Sequence, residues 1–293
     1  VIRTGSRPQS ANGRPFFRCD TYTPDDANKS QNEIGTQDSV CLPAPLAIAI
    51  ADEFAYPINN GFQRQEVFSL SSPIVVFDLD GTLVDTAPDL VASLNHAVTQ
   101  AGVEPVTYGD LTHLVGHGAR AMIERTFAMR QKPLAEDMLE WQLKEFVDFY
   151  HGSMPGDSLP YPGLVDALDR LSGAGFKLAV CTNKPEKLAT RLLERLGLIE
   201  RFAAISGGDT FEVRKPDAAH LLRTVSNAGG LATRAVMVGD SLNDFLVARN
   251  AQVPSIAVPF GYSDVPVESL DPTVVISHFD ELTPDLVSGL FSK

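Results

Sequence analysis

The rhythm of hydrophobic and polar positions changes near residue 73. Residues 1 to about 70 mix Arg, Asn, Gln, Ser, Pro and Gly with no sustained period. That pattern predicts a largely irregular or disordered extension, with a short docked helix over Ala44–Ala55. Further on, short apolar runs alternate with stretches of helical spacing. Ile74–Phe77, Phe176–Cys181, Phe202–Ser206, Ala235–Val238, Ser255–Val258 and Thr273–Ile276 have the β-branched and aromatic content of buried strands. Between them, helices are predicted from Leu164 through Leu171, over Glu186–Leu196, Asp217–Ala228 and Asn243–Asn250, and at the C-terminus. Strands alternating with helices of this length predict an α/β fold: a Rossmann-like parallel sheet with helices on both faces.

The stretch after the first strand breaks this alternation. Thr86 is placed to cap a helix that Ala87 and Pro88 open, and Leu90, Val91, Leu94, Ala97 and Val98 follow at helical spacing. Thr107–Val115 and Ala119–Met129 read as two more helices. Pro133–Tyr150 reads as a longer one, with Leu139, Leu143, Phe146, Val147 and Tyr150 on one side. The predicted organisation is an extension over 1–70, an α/β core over 71–86 and 157–293, and an all-helical insert over 87–156.

Ligands of an open parallel sheet bind at the carboxyl ends of its strands. The polar groups of interest fall there. Asp78 and Asp80 follow the first strand, spaced to share one face, and stay ionised together only with a cation or strong donors nearby. Gly81 permits a sharp turn and Thr82 adds a hydroxyl. Thr182 and Asn183 follow the second strand with groups suited to phosphate oxygens. Lys215 lies after the third, and Asp240 and Asp244 follow the fourth in a Gly-started turn suited to a hard cation such as Mg²⁺.

Charge and composition narrow the partners. Lys and Arg number 24 and Asp and Glu 37 in 293 residues, a net −13 that argues against nucleic acid as a general partner. A small anionic ligand is still compatible, because a local site can invert the global field. Cys19, Cys41 and Cys181 form no disulfide framework, which fits a reducing, cytoplasmic compartment. No stretch reaches the roughly 20 apolar residues needed to cross a bilayer.

The string Asp78-Leu-Asp-Gly-Thr-Leu-Val-Asp-Thr86 resembles the first motif of the haloacid dehalogenase-like (HAD) phosphotransferases. The resemblance implies a carboxylate nucleophile at Asp78 and a general acid/base at Asp80. The family's dehalogenases lack an acid at that second position, so phosphoryl transfer is expected. Thr182 resembles the second motif, whose hydroxyl holds the transferring phosphoryl group. Lys215-Pro216 resembles the third, and Val238-Gly-Asp-Ser-Leu-Asn-Asp244 the fourth. Asp78, Asp80, Asp240 and Asp244 are the implied Mg²⁺ set, with Asp240 binding directly and Asp244 acting behind it or on Lys215. Gly81, Thr82 and Asn183 are the implied phosphate-binding residues of the core.

The insert resembles the helical cap of this family's small-substrate phosphatases. Its Gly116-His117-Gly118 turn, with Arg120, resembles the cap specificity loop of phosphoglycolate phosphatases, many of which carry Asn in place of His117. Similarity to that group continues through Thr86–Leu90, Leu159–Gly163, Val180–Pro185 and Ile205–Asp209, spanning about 73 to 285. It implies hydrolysis of 2-phosphoglycolate to glycolate and phosphate through an aspartyl-phosphate; a monomer or homodimer is expected. A phosphatase for another small ester, a β-phosphoglucomutase-like isomerase and a non-catalytic phosphate-binding module are the other readings of the same motifs.

Overall fold

The computed structural model describes residues 72–113 and 118–291. The irregular extension expected over 1–70, the helix expected over Ala44–Ala55, Gly116 and His117 lie outside the described residues. The core is a six-stranded sheet in the order β5-β4-β1-β6-β7-β8, with every neighbouring pair parallel. Its strands are β1 (Ile74–Phe77), β4 (Lys177–Cys181), β5 (Ala204–Ser206), β6 (Ala235–Gly239), β7 (Ser255–Ala257) and β8 (Val274–Val275). Strand β1 is central and wholly buried. Its alternate residues serve the two faces: Val75 and Phe77 join one apolar cluster, Ile74 and Val76 the other. Chain order reverses on either side of β1, so the crevice for ligands opens at its carboxyl end.

The crossovers are helices α4 (Leu164–Gly173), α5 (Glu186–Arg195), α6 (Ala218–Asn227) and α7 (Leu242–Asn250), and α8 (Pro284–Leu290) closes the fold. Asp217 caps α6 by accepting from Ala219 N at 2.9 Å. The third strand begins at Ala204 rather than Phe202, because Ile199–Arg201 forms a 3₁₀ turn before it.

Between β1 and β4 lie α1 (Ala87–Gln100), α2 (Ala119–Met129) and α3 (Glu136–Ser153), packed through Leu90, Leu94, Ile123, Phe127, Leu139 and Phe146. The helix expected over Thr107–Val115 is a 3₁₀ turn at Tyr108–His113. Sequence reading also missed a short antiparallel pair, β2 (Val84–Asp85) with β3 (Leu159–Pro160), through which the chain passes into and out of the helical insert. Asp89 ties the two passages together, accepting from Gly156 N, Asp157 N and Ser158 Oγ. No described helix is long and apolar enough to cross a membrane.

Candidate active site

The carboxyl end of β1 carries Asp78 into a buried acidic cluster. Carboxylate oxygens of Asp78, Asp240 and Asp244 all lie within 4.8 Å of one another. Desolvation by burial, only partly offset by Lys215, pushes the Asp78 carboxyl up to about 6. Asp240 is pushed up to about 8, by burial first and then by the charges of Asp244 and Asp78. Three acids so placed hold more negative charge than the surrounding protein neutralises. Their hard oxygen donors suit Mg²⁺, which accepts carboxylates alongside substrate oxygens and water.

Lys215 is a cation that the protein supplies to this cluster. Its Nζ lies 2.8 Å from Asp78 Oδ1 and 2.6 Å from Asp244 Oδ1. Burial works against its charge, but Asp244 and Asp78 outweigh that and its pKa is raised. Asp244 is held from behind, its Oδ2 accepting from Ser241 N at 3.0 Å and Ser241 Oγ at 2.6 Å. That is a helix-capping arrangement and an ammonium partner in one side chain.

Several expected site residues have other partners. Thr82, expected at the substrate, is fully buried and donates its hydroxyl to Asp240 Oδ1 at 2.8 Å. The N–H of Gly81 points back to Val84 O, so it is not free to face an anion. Gly81 matters for its shape: it has φ +82°, and a Cβ there would stand 2.5 Å from Asp240 Oδ2. Asp80 was expected among the metal ligands, but its carboxylate lies outside the acidic cluster. It is drawn to Lys184 Nζ (2.9 and 3.2 Å) and to Thr86 Oγ1 (2.7 Å). Thr86 therefore does not cap α1 with its side chain. Arg120 is exposed and pairs with Glu124, Glu136 and Glu140 of the insert, so its charge is spent away from the acidic cluster.

Other expectations meet in space. Thr182 is buried at the end of β4, and Asn183 Nδ2 donates to Lys215 O at 3.1 Å. A cleft of about 620 Å³ is lined by Asn183, Arg214, Lys215 and Asn243 from the core and by Gly118 from the insert. Gly118 thus stands at the rim of a cleft that Lys215 also lines.

The family model for haloacid dehalogenase-like hydrolases matches residues 75–258. Among curated proteins, the phosphoglycolate phosphatase of Agrobacterium fabrum is 60% identical over 76% of this chain and 95% of its own. That of Mesorhizobium japonicum is 50% identical over 75% and 97%. The chain belongs to the haloacid dehalogenase-like hydrolases, in the phosphoglycolate phosphatase family. A crystal structure of a predicted phosphoglycolate phosphatase from Haemophilus somnus 129pt superposes with a TM-score of 0.68 at 28% identity, covering 72% of this chain and 96% of that one.

Around this family's motifs, three residues of the chain were not singled out from sequence. Lys184 follows Thr182 by two positions and is nearly buried; a lysine beside an apolar strand end was the available signal. His220 accepts from Lys215 N at 3.0 Å through Nδ1, while Nε2 stands 3.0 Å from Gly207 O. Burial and then the Lys215 charge hold its imidazole down to about 4, so it stays neutral and can accept that bond. Tyr262 donates its N–H to Asp240 Oδ2 at 2.7 Å and its hydroxyl to Asp85 Oδ1 at 2.6 Å. No periodic pattern marks it, because it sits in a loop.

Proposed function

We propose that the protein is a Mg²⁺-dependent phosphatase that hydrolyses 2-phosphoglycolate to glycolate and phosphate. The observation that carries this reading is the convergence of Asp78, Asp240, Asp244 and Lys215 at the carboxyl end of β1. In the first step, Asp78 attacks phosphorus and the bond to the leaving oxygen breaks as Asp80 delivers a proton to it. In the second, Asp80 takes a proton from water, water oxygen bonds to phosphorus, and Asp78 is released from its aspartyl-phosphate. Lys215 offsets charge on Asp78 and on the phosphoryl oxygens, and Thr182 and Asn183 orient that group. Asp78, Asp240 and, behind them, Asp244 would hold Mg²⁺, which when bound withdraws charge from the phosphoryl oxygens. The helical insert over 87–156 acts as a cap on the core of 71–86 and 157–293, shielding the site from water. A cytoplasmic setting fits Cys181, which is buried and free.

The test is phosphate release across a panel of small phosphate esters, with and without Mg²⁺. The expected result is a preference for 2-phosphoglycolate, dependence on Mg²⁺ and no turnover in Asp78→Asn. Preference for a sugar phosphate, with isomerisation and no phosphate release, would replace this reading with the phosphomutase one.

A further inference from the structure

The acidic cluster and Lys215 account for a phosphoryl group, but a phosphoglycolate also carries a carboxylate. Arg120, the cation of the loop that resembles the cap specificity loop, is committed to glutamates on the insert surface. Another cation is buried at the site. Lys184 Nζ touches both oxygens of Asp80, with its side chain 5% exposed. Its other neighbour is the face of Tyr150, whose ring centroid is 4.3 Å away. Tyr150 comes from α3 of the insert and is 1% exposed, and its hydroxyl makes no hydrogen bond among the described residues.

A buried ammonium has three N–H donors and a buried phenol one, and leaving such donors unmet is costly. Asp80 occupies part of the ammonium's capacity and the Tyr150 side chain lies against the rest, while the phenol's own O–H meets no acceptor among the described residues. A phenol with no acceptor and an ammonium held by one carboxylate therefore meet, from opposite sides of the insert–core boundary, beside the group proposed to protonate the leaving oxygen. In 2-phosphoglycolate that oxygen and the carboxylate are separated by a single methylene. A substrate whose leaving oxygen meets Asp80 places its carboxylate within reach of whatever flanks Asp80.

We infer that Lys184 and Tyr150 together form the receptor for the substrate's carboxylate, one donor from the core and one from the insert. The inference rests on the proposed phosphatase reading and deepens it. It makes the receptor complete only when the insert sits on the core, so the acid end of the substrate, not only its phosphate, selects the assembled site.

The test compares 2-phosphoglycolate with ethyl phosphate, which has a methyl group in place of the carboxylate, at fixed Mg²⁺. The readout is the ratio of their kcat/KM values, because Lys184 also touches Asp80 and its loss can lower both. The ratio is expected to fall by roughly tenfold to a hundredfold in Lys184→Met, the size of a lost charge-assisted hydrogen bond, chiefly through KM for 2-phosphoglycolate. It should fall less in Tyr150→Phe and recover in part in Lys184→Arg. Equal losses on both esters would reduce Lys184 to a positioning residue for Asp80 and overturn the inference, as would an unchanged ratio. Should Lys184→Met fail to fold, calorimetric binding of 3-phosphonopropionate against propylphosphonate to Tyr150→Phe decides the matter in the same way. A wild-type enzyme with no preference for 2-phosphoglycolate over ethyl phosphate overturns the substrate reading itself.

Discussion

Lys215 Nζ stands 2.6 Å from Asp244 Oδ1, and both side chains are shut away from solvent. A buried ammonium is tolerable only while its carboxylates remain. Asp244 also accepts both donors of Ser241, so removing it strands three groups at once. Asp244→Ala is expected to cost about 3–5 kcal/mol, the range for breaking a buried pair. Urea unfolding without Mg²⁺ measures it; a loss well under 1 kcal/mol would mean that Asp78 alone suffices for Lys215.

His220 makes a prediction about pH. Its folded-state pKa is lowered to about 4, by burial first and then by Lys215, while the unfolded chain titrates near the ordinary value of 6.5. Between those values the unfolded state binds the extra proton, so this residue's contribution to stability is full above about 6.5 and is lost as pH falls toward 4. Gln at the position can still accept from Lys215 N but does not titrate. The stability difference between wild type and His220→Gln should shift against wild type by roughly 1.4 kcal/mol per pH unit across that window. Parallel stability curves would show that the imidazole is not held neutral.

Gly81 tests the shape of the cradle around Asp240. Alanine there would force a side chain into the left-handed region at φ +82° and into the space of the Asp240 carboxylate. Gly81→Ala is expected to cost about 1–2 kcal/mol in backbone strain. It should also weaken Mg²⁺ binding by roughly tenfold or more, as displaced support for a ligand does. Calorimetric titration with Mg²⁺ reads the second effect separately from the first.

Arg120 carries the opposite expectation. Its guanidinium is exposed and paired within the insert. Arg120→Ala should leave kcat and KM for 2-phosphoglycolate unchanged. A selective rise in KM would return Arg120 to the role that the sequence motif suggested.

Much of this was legible before any coordinates. The strand order could not be read, but the apolar runs ending in Asp78, Thr182 and Asp240 located the rim of the sheet, because a buried parallel strand leaves little choice about where polar groups go. What the sequence did not show was the partners. Thr82 and Asp80 have the right chemistry for a ligand, yet Asp240 and Lys184 claim them, and those residues lie more than a hundred positions away in sequence. Arg120 has nearer partners: Glu136 and Glu140, from the next long helix, pair with it. Tyr262 was invisible because a loop residue acting through its backbone N–H leaves no side-chain signature.

The paired strands β2 and β3 put Val84 opposite Pro160 and Asp85 opposite Leu159. The chain therefore leaves the α/β body and returns to it at neighbouring points, as at the base of a hairpin. A short turn could bridge that gap with the catalytic strand ends undisturbed. The helical segment is in that sense a cassette, hung on the α/β body by a single doorway.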